Sequence, residues 1–222
     1  MPISHKHKTI FVHNPRCAGA SMVDLFDDMR TLENLYGLSA TTNATKLIPA
    51  DKFSDYDYRK CSSKSPRHYS LQEIKKIISE DVYSNYKKIS VVRNPYERFV
   101  SGYNASYFSK HLGFEEYMVY ILKLNELERI WMFDSHNETQ LSFLKNEQGN
   151  LEDLDIIYKF ESLAMDVPNL LNTYGKKDFF HKNKSKKMRL NYMEYYNKVT
   201  AEILYIMYKE DFESFGYEKI NL

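Results

Sequence analysis

Cysteine is scarce in this chain: Cys17 and Cys61 are the only two among 222 residues. That does not suggest a disulfide-stapled secreted scaffold, it excludes a cysteine-rich zinc site, and it favours a reducing, cytoplasmic setting. Long apolar runs are missing too, since no stretch approaches the ~18 residues that a membrane span requires. The opening Met-Pro-Ile-Ser-His-Lys-His-Lys lacks the apolar core of a signal peptide, so an unanchored protein with no membrane partner is expected. Net charge is close to nil, with 31 Lys+Arg against 30 Asp+Glu. A nucleic-acid-binding field is thereby excluded, and any anion site has to be made by local placement. Two nucleotide signatures are also absent. There is no Gly-x-x-x-x-Gly-Lys-Ser/Thr for a nucleoside triphosphate with magnesium and no Gly-x-Gly-x-x-Gly for a dinucleotide. No internal repeat or low-complexity linker divides the chain.

What is present suffices for one substantial core: 43% of residues are hydrophobic and 15% aromatic, and a second full domain would leave both halves small. Residues 9–14 read as an apolar strand that runs into the small-residue turn Pro15-Arg16-Cys17-Ala18-Gly19-Ala20-Ser21. A helix over about 20–34 follows, with Met22, Leu25, Phe26, Met29 and Leu32 at helical spacing. Residues 36–66 are polar and hold Pro49 and Pro66, which reads as a long loop with a short strand near Tyr58–Ser62. Leu71, Ile74, Ile77 and Ile78 mark a second helix, opened by a capping box of Ser70 and Glu73. The β-branched segment 87–93 forms a strand ending at Asn94-Pro95-Tyr96-Glu97. There Asn94 suits a helix cap, Pro95 the first helical position, and Glu97 stands three residues past the cap.

Helices are expected over 95–109, 114–131 and 137–145, then a strand over 155–160 and a helix over 161–174. A basic loop occupies 175–190, and a last helix carries Tyr192, Tyr196, Val199, Ile203 and Met207 along one side. Strands alternating with helices imply a parallel sheet covered on both faces.

The turn after the first strand is a phosphate cradle in outline, because unpaired backbone N–H groups there can face an anion. Ligands of open α/β sheets lie outside the carboxyl ends of the strands, so the turn after Asn14 and the junction at Arg93–Asn94 should share one edge. Two anion sites on one edge suit a ligand with phosphate at two places. Arg16 can pair with one phosphate, and Arg93 and Arg98 with the other. For Arg98 an ordinary surface ion pair is the competing reading. Cys17 reads as a small neutral residue whose backbone binds, His13 as a packing group beneath the turn, and His5 and His7 as part of a solvated terminus. His111, His136 and His181 show no ligand spacing. The 19 tyrosines read as core packing.

Pro15 to Ser21 resembles the 5′-phosphosulfate loop of sulfotransferases that use 3′-phosphoadenosine 5′-phosphosulfate (PAPS). Val92-Arg93-Asn94-Pro95-Tyr96-Glu97-Arg98-Phe99-Val100-Ser101-Gly102-Tyr103 resembles their 3′-phosphate motif. Arg67-His68-Tyr69-Ser70, Tyr158-Lys159-Phe160-Glu161-Ser162-Leu163, Asn183-Lys184-Ser185, Tyr195-Tyr196, Glu210-Asp211 and Phe215-Gly216-Tyr217 fit the same order. The similarity is to carbohydrate sulfotransferases of the heparan 2-O and chondroitin 4-O type and their short bacterial relatives. It covers most of the chain apart from 36–66 and 104–150.

The resemblance implies one domain over residues 1–222 with a P-loop-like, three-layer α/β fold, a central parallel sheet flanked by helices. It implies that Cys17, Ala18, Gly19, Ala20 and Ser21 hold the 5′-phosphate through N–H groups and the Ser21 hydroxyl, and that Arg93 and Ser101 hold the 3′-phosphate. Arg16 stands where the family generally has lysine, beside the bridging oxygen on which charge develops. Arginine keeps the positive charge but, with a pKa above ~12, is a very poor proton donor. Ala20 stands where the family has Thr or Ser. His68 matches the histidine base for the acceptor hydroxyl, a role an imidazole with a pKa near ~6.5 can fill at neutral pH. Lys184 falls in a basic loop that the related enzymes close over PAPS. The implied reaction is in-line transfer of a sulfuryl group from PAPS to a hydroxyl of a carbohydrate or other small acceptor, leaving 3′-phosphoadenosine 5′-phosphate (PAP), with no metal. Two other readings stay open: a PAP- or PAPS-binding protein without turnover, and a divergent nucleotide or sugar kinase.

Overall fold

Short apolar, β-branched segments form the sheet. The computed structural model describes residues 3–26, 68–133, 135–179 and 191–222. Its four strands, β1 (Ile3–Ser4), β2 (Thr9–Val12), β3 (Lys87–Val92) and β4 (Ile156–Lys159), lie in the order β1-β2-β3-β4. β2, β3 and β4 are parallel, and β1 adds an antiparallel edge that the sequence pattern does not announce. Alternation along the strands sorts the core. Ile10, Val12 and Val92 face one layer, with Leu71, Ile74, Leu141, Phe143 and Phe215. Phe11, Ile89 and Val91 face the other, with Met22, Leu25, Phe26, Leu163 and Leu170. Helices thus cover both sheet faces, which is why the central strands are apolar without a break. The chain is a mixed α/β protein with a mostly parallel sheet.

α1 (Gly19–Val23) follows the turn. The rest of the helix expected to residue 34 and the strand near Tyr58–Ser62 lie outside the described residues. α2 (Leu71–Ile77) opens with the expected capping box: the Glu73 N–H donates to Ser70 Oγ at 3.2 Å and the Ser70 N–H to Glu73 Oε2 at 2.7 Å. α3 (Glu80–Asn85), capped by Ser79, is an addition. α4 (Pro95–Ala105) starts at Asn94, whose side chain accepts the Tyr96 N–H at 3.0 Å. Glu97 closes no box there. Its carboxylate accepts Nη2 of Arg93 at 2.7 Å, because a guanidinium is a stronger donor than an amide, and Glu161 accepts the Asn94 N–H instead at 2.6 Å.

The helix expected over 95–109 stops at Ser106, whose Oγ turns back to Tyr103 O at 2.8 Å, and a 3-10 turn, Tyr107–Lys110, follows. The helix expected over 114–131 divides into α5 (Phe114–Lys123) and α6 (Glu126–Phe133). Asn125 and Glu128 cap each other reciprocally at 2.9 and 3.0 Å, so a new helix starts where the old one would have continued. Of 137–145 only α7 (Leu141–Leu144) is helical. Then come β4, α8 (Leu163–Tyr174), a 3-10 turn at Tyr192–Tyr195, α9 (Lys198–Met207) and α10 (Lys209–Phe215).

The stripe expected on the last helix is broken at one position: Tyr196 is buried, and Tyr192, Ile203 and Met207 pack against the core. Val199 is 66% exposed, whereas Thr200, Ala201, Leu204 and Tyr208 are buried. Asn197 caps α9 through the N–H groups of Val199 and Thr200, which starts a new helix after the 3-10 turn that holds Tyr192. α4, α5, α9 and α10 meet in an aromatic cluster that includes Tyr96, Phe99, Tyr117, Tyr208 and Phe212. Its phenols find carbonyls: Tyr96 OH donates to Ala201 O at 3.2 Å, Tyr196 OH to Tyr96 O at 2.9 Å and Tyr208 OH to Asn137 O at 2.9 Å. Tyrosine can therefore serve as core residue here without an orphaned hydroxyl.

Candidate active site

Parallel pairing of β2 with β3 brings their carboxyl ends together. Asn14, fully buried, donates Nδ2 to Ser90 Oγ at 3.2 Å and to Val91 O at 3.1 Å, tying the turn to the neighbouring strand. The chain then bends through two left-handed residues, Arg16 at φ 68° and Ala18 at φ 59°. That conformation costs a residue with a Cβ about 1–2 kcal/mol. Ala18→Gly is accordingly expected to raise the unfolding free energy by roughly 1 kcal/mol, read from the denaturant midpoint at unchanged slope.

The turn uses two of its own N–H groups: Cys17 donates to Asn14 O at 3.4 Å and Ser21 to Ala18 O at 2.9 Å. Among the described residues the N–H groups of Ala18, Gly19 and Ala20 meet no acceptor, so the set available to an anion is narrower than 17–21. The Cys17 thiol is buried, directed at Gln140 Oε1 (3.3 Å) with Pro15 O at 3.5 Å, and burial pushes it up to about 12. It is a neutral donor. Gly19 allows the closest approach in the site, since a Cβ there would fall 1.8 Å from His13 Nε2.

The second junction locks onto the first. Arg93, 3% exposed, donates Nη1 to Arg16 O at 3.1 Å and Nη2 to Glu97, and lies 4.0 Å from the centroid of the Phe160 ring. Arg16 directs Nε and Nη2 to Ser101 Oγ at 3.3 and 3.1 Å. Burial, then the charge of Arg93, lowers the Arg16 guanidinium below the ordinary arginine range. Positive charge is thus concentrated where the turn and the junction touch. Arg98 is neither a surface ion-pair partner nor an open anion arm. It is buried and clamps three carbonyls, Pro15 O (3.0 Å), Glu138 O (2.8 Å) and His136 O (3.4 Å).

His68, at the approach to α2, is 3% exposed. Its ring meets His13 edge-on at 5.0 Å between centroids and His136 at 5.1 Å. His13 in turn stacks on Phe11 and abuts Gly19, so a file of imidazoles leads from the turn to His68. Nothing in its local sequence marks His136 as part of this file.

The family model described as the sulfotransferase family matches residues 1–218. The chain belongs to the sulfotransferase family. No curated protein and no solved structure matches it. Sulfuryl transfer to a hydroxyl-bearing acceptor is the chemistry of that family. In this sulfotransferase the frame behind the two junctions is Asp211, which is fully buried. Its carboxylate accepts the N–H groups of Gln140 (2.9 Å) and Leu141 (2.8 Å) and Gln140 Nε2 (3.3 Å). Burial pushes the carboxyl up to about 6, against the opposing pull of Arg98. Gln140 and Asp211 carry no catalytic signature, although Asp211 falls in one of the segments whose order fits the family.

Arg67, Asn183, Lys184 and Ser185 lie outside the described residues. Among the described residues no helix is long and apolar enough to cross a membrane, and no group of three or more His, Cys, Asp or Glu could hold a metal ion.

Proposed function

We propose that this sulfotransferase, as a single P-loop-like domain over residues 1–222 working in the cytoplasm, takes its sulfuryl group from PAPS and delivers it to a carbohydrate hydroxyl. One observation carries the reading: the two motifs meet, through Arg93 to Arg16 O at 3.1 Å, Arg98 to Pro15 O at 3.0 Å and Arg16 to Ser101 Oγ at 3.1 Å. A ligand with phosphate at two places requires such contiguity. The free N–H groups of Ala18, Gly19 and Ala20 and the hydroxyl of Ser21, with Cys17 alongside, suit the 5′-phosphate. Arg93 and Ser101 suit the 3′-phosphate, and Lys184 the nucleotide between.

PAPS when bound supplies the sulfuryl group and a phosphate leaving group. Arg16 contributes a fixed charge beside that phosphate, an effect worth roughly 10²–10³-fold in rate when such a group is preorganised. It neutralises without donating a proton. His68 accepts the proton of the acceptor hydroxyl, and His13 holds it in place against the turn. Gly19→Ala, which drives a Cβ into the His13 ring, should lower turnover by roughly 10²-fold by displacing the imidazole file, checked by initial rates alongside thermal unfolding.

Calorimetry with PAP and with ATP plus magnesium tests the cofactor, and labelled PAPS on a glycan panel tests the acceptor. Tighter binding of ATP with magnesium would remove the PAPS assignment in favour of a kinase. PAP binding with no turnover on any acceptor would leave a binding protein.

A further inference from the structure

We propose that Gln140 is a positioning residue that holds the two phosphate-binding segments in register, so that a ligand with both phosphates gains from their being joined. The inference rests on the PAPS reading above and deepens it.

Gln140 is 0% exposed and belongs to neither phosphate motif. Its Nε2 donates to Arg93 O at 2.9 Å and its Oε1 accepts the Arg93 N–H at 2.7 Å. The side-chain amide therefore pairs with the Arg93 backbone as a neighbouring strand would. It does so where the sheet runs out, since the ladder toward β4 closes with the Phe160 N–H on Val92 O at 2.7 Å. The same Oε1 takes the Cys17 thiol at 3.3 Å, and burial keeps that thiol protonated and donating. One carbonyl oxygen thus bridges the 5′ turn and the 3′ junction.

Asp211 fixes the amide's orientation. Its Oδ2 accepts both Nε2 (3.3 Å) and the backbone N–H of Gln140 (2.9 Å), so the nitrogen end faces two acceptors and the oxygen end two donors. Glutamate at this position could not donate to Arg93 O and would set a second carboxylate against Asp211. An apolar side chain of similar length would hold neither segment. Each phosphate pocket can bind its own phosphate without the bridge. What the bridge sets is their relative placement, and hence the effective concentration of the second phosphate once the first is bound.

The test is calorimetry of wild type, Gln140→Met and Cys17→Ala with PAP, 5′-AMP and 3′-AMP, with thermal unfolding as the folding control. Wild type is expected to prefer PAP to either monophosphate by ~10²-fold or more. In Gln140→Met that preference should fall by roughly tenfold while each monophosphate stays within about threefold of wild type. Cys17→Ala, which keeps the backbone of the turn but removes the thiol's link to the amide together with its contact to Pro15 O, should lower the preference by less. A wild type with no preference for PAP would overturn the PAPS reading itself. A wild type that prefers PAP, with folded variants that keep the preference or weaken on all three ligands alike, would overturn the role of Gln140 alone. Should Gln140→Met fail to fold, an unchanged preference in Cys17→Ala decides against it.

Discussion

Alanine at position 68 should lower sulfuryl transfer by roughly 10²–10⁴-fold and leave the affinity for PAP within about twofold, as expected for loss of a general base. The pattern follows from where the ring stands. His68 packs edge-on against His13 and His136, and in the proposed reading it serves the acceptor hydroxyl and neither phosphate, so its removal should spare the nucleotide. Because it is 3% exposed, truncation also leaves a hole, and a fall in rate alone would not separate base from packing. His68→Gln resolves the two. Glutamine restores volume and hydrogen bonding but takes no proton at neutral pH, so its rate should stay as low as that of alanine. Recovery of the rate with glutamine would make His68 a packing residue. Initial rates with labelled PAPS, with calorimetry on PAP as control, give both readings.

The largest loss of stability is expected for Asp211→Ala. The carboxylate is the sole acceptor for the buried N–H groups of Gln140 and Leu141 among the described residues, and it faces the buried charge of Arg98. Leaving two buried amides without an acceptor and removing the carboxylate whose charge opposes that of Arg98 should cost about 3–5 kcal/mol, which for a chain of this size lowers the melting temperature by roughly 10 °C. The same group sets a pH dependence. Its carboxyl is raised to about 6 in the folded protein, against ~3.9 unfolded, so the folded state binds the proton more tightly. Its stabilising contribution is present in full below about pH 4 and is lost as pH rises to about 6, by roughly 2–3 kcal/mol. Denaturant unfolding of wild type across that window should show this decline, and Asp211→Ala should remove it.

Both junctions were readable from short-range signals. A β-branched run followed by small residues, and another followed by Asn-Pro, each need only a few neighbouring residues to end a strand and start a helix. The Ser70–Glu73 box is of the same kind, with both bonds spanning three residues. Glu97 shows the limit of such reasoning: its position suits a box, but Arg93 competes for it one helical turn away. The last helix shows another limit. A stripe counted through Tyr192 assumes one continuous helix, whereas a 3-10 turn and a new helix capped by Asn197 share the segment and leave Val199 exposed.

Residues 9–21 and 92–103 by themselves determined that two strand-to-helix junctions exist, and with the match over residues 1–218 they place the chain among sulfotransferases. Backbone propensity and capping act over three or four residues, so those features survive without knowledge of the rest of the chain. Only the tertiary structure decided what stands behind them: Arg98 as a clamp on carbonyls, His136 beside His68, and Gln140 reaching Arg93 across 47 residues and Cys17 across 123. Those contacts depend on which elements the buried sheet brings side by side, and no local pattern along the chain encodes that choice.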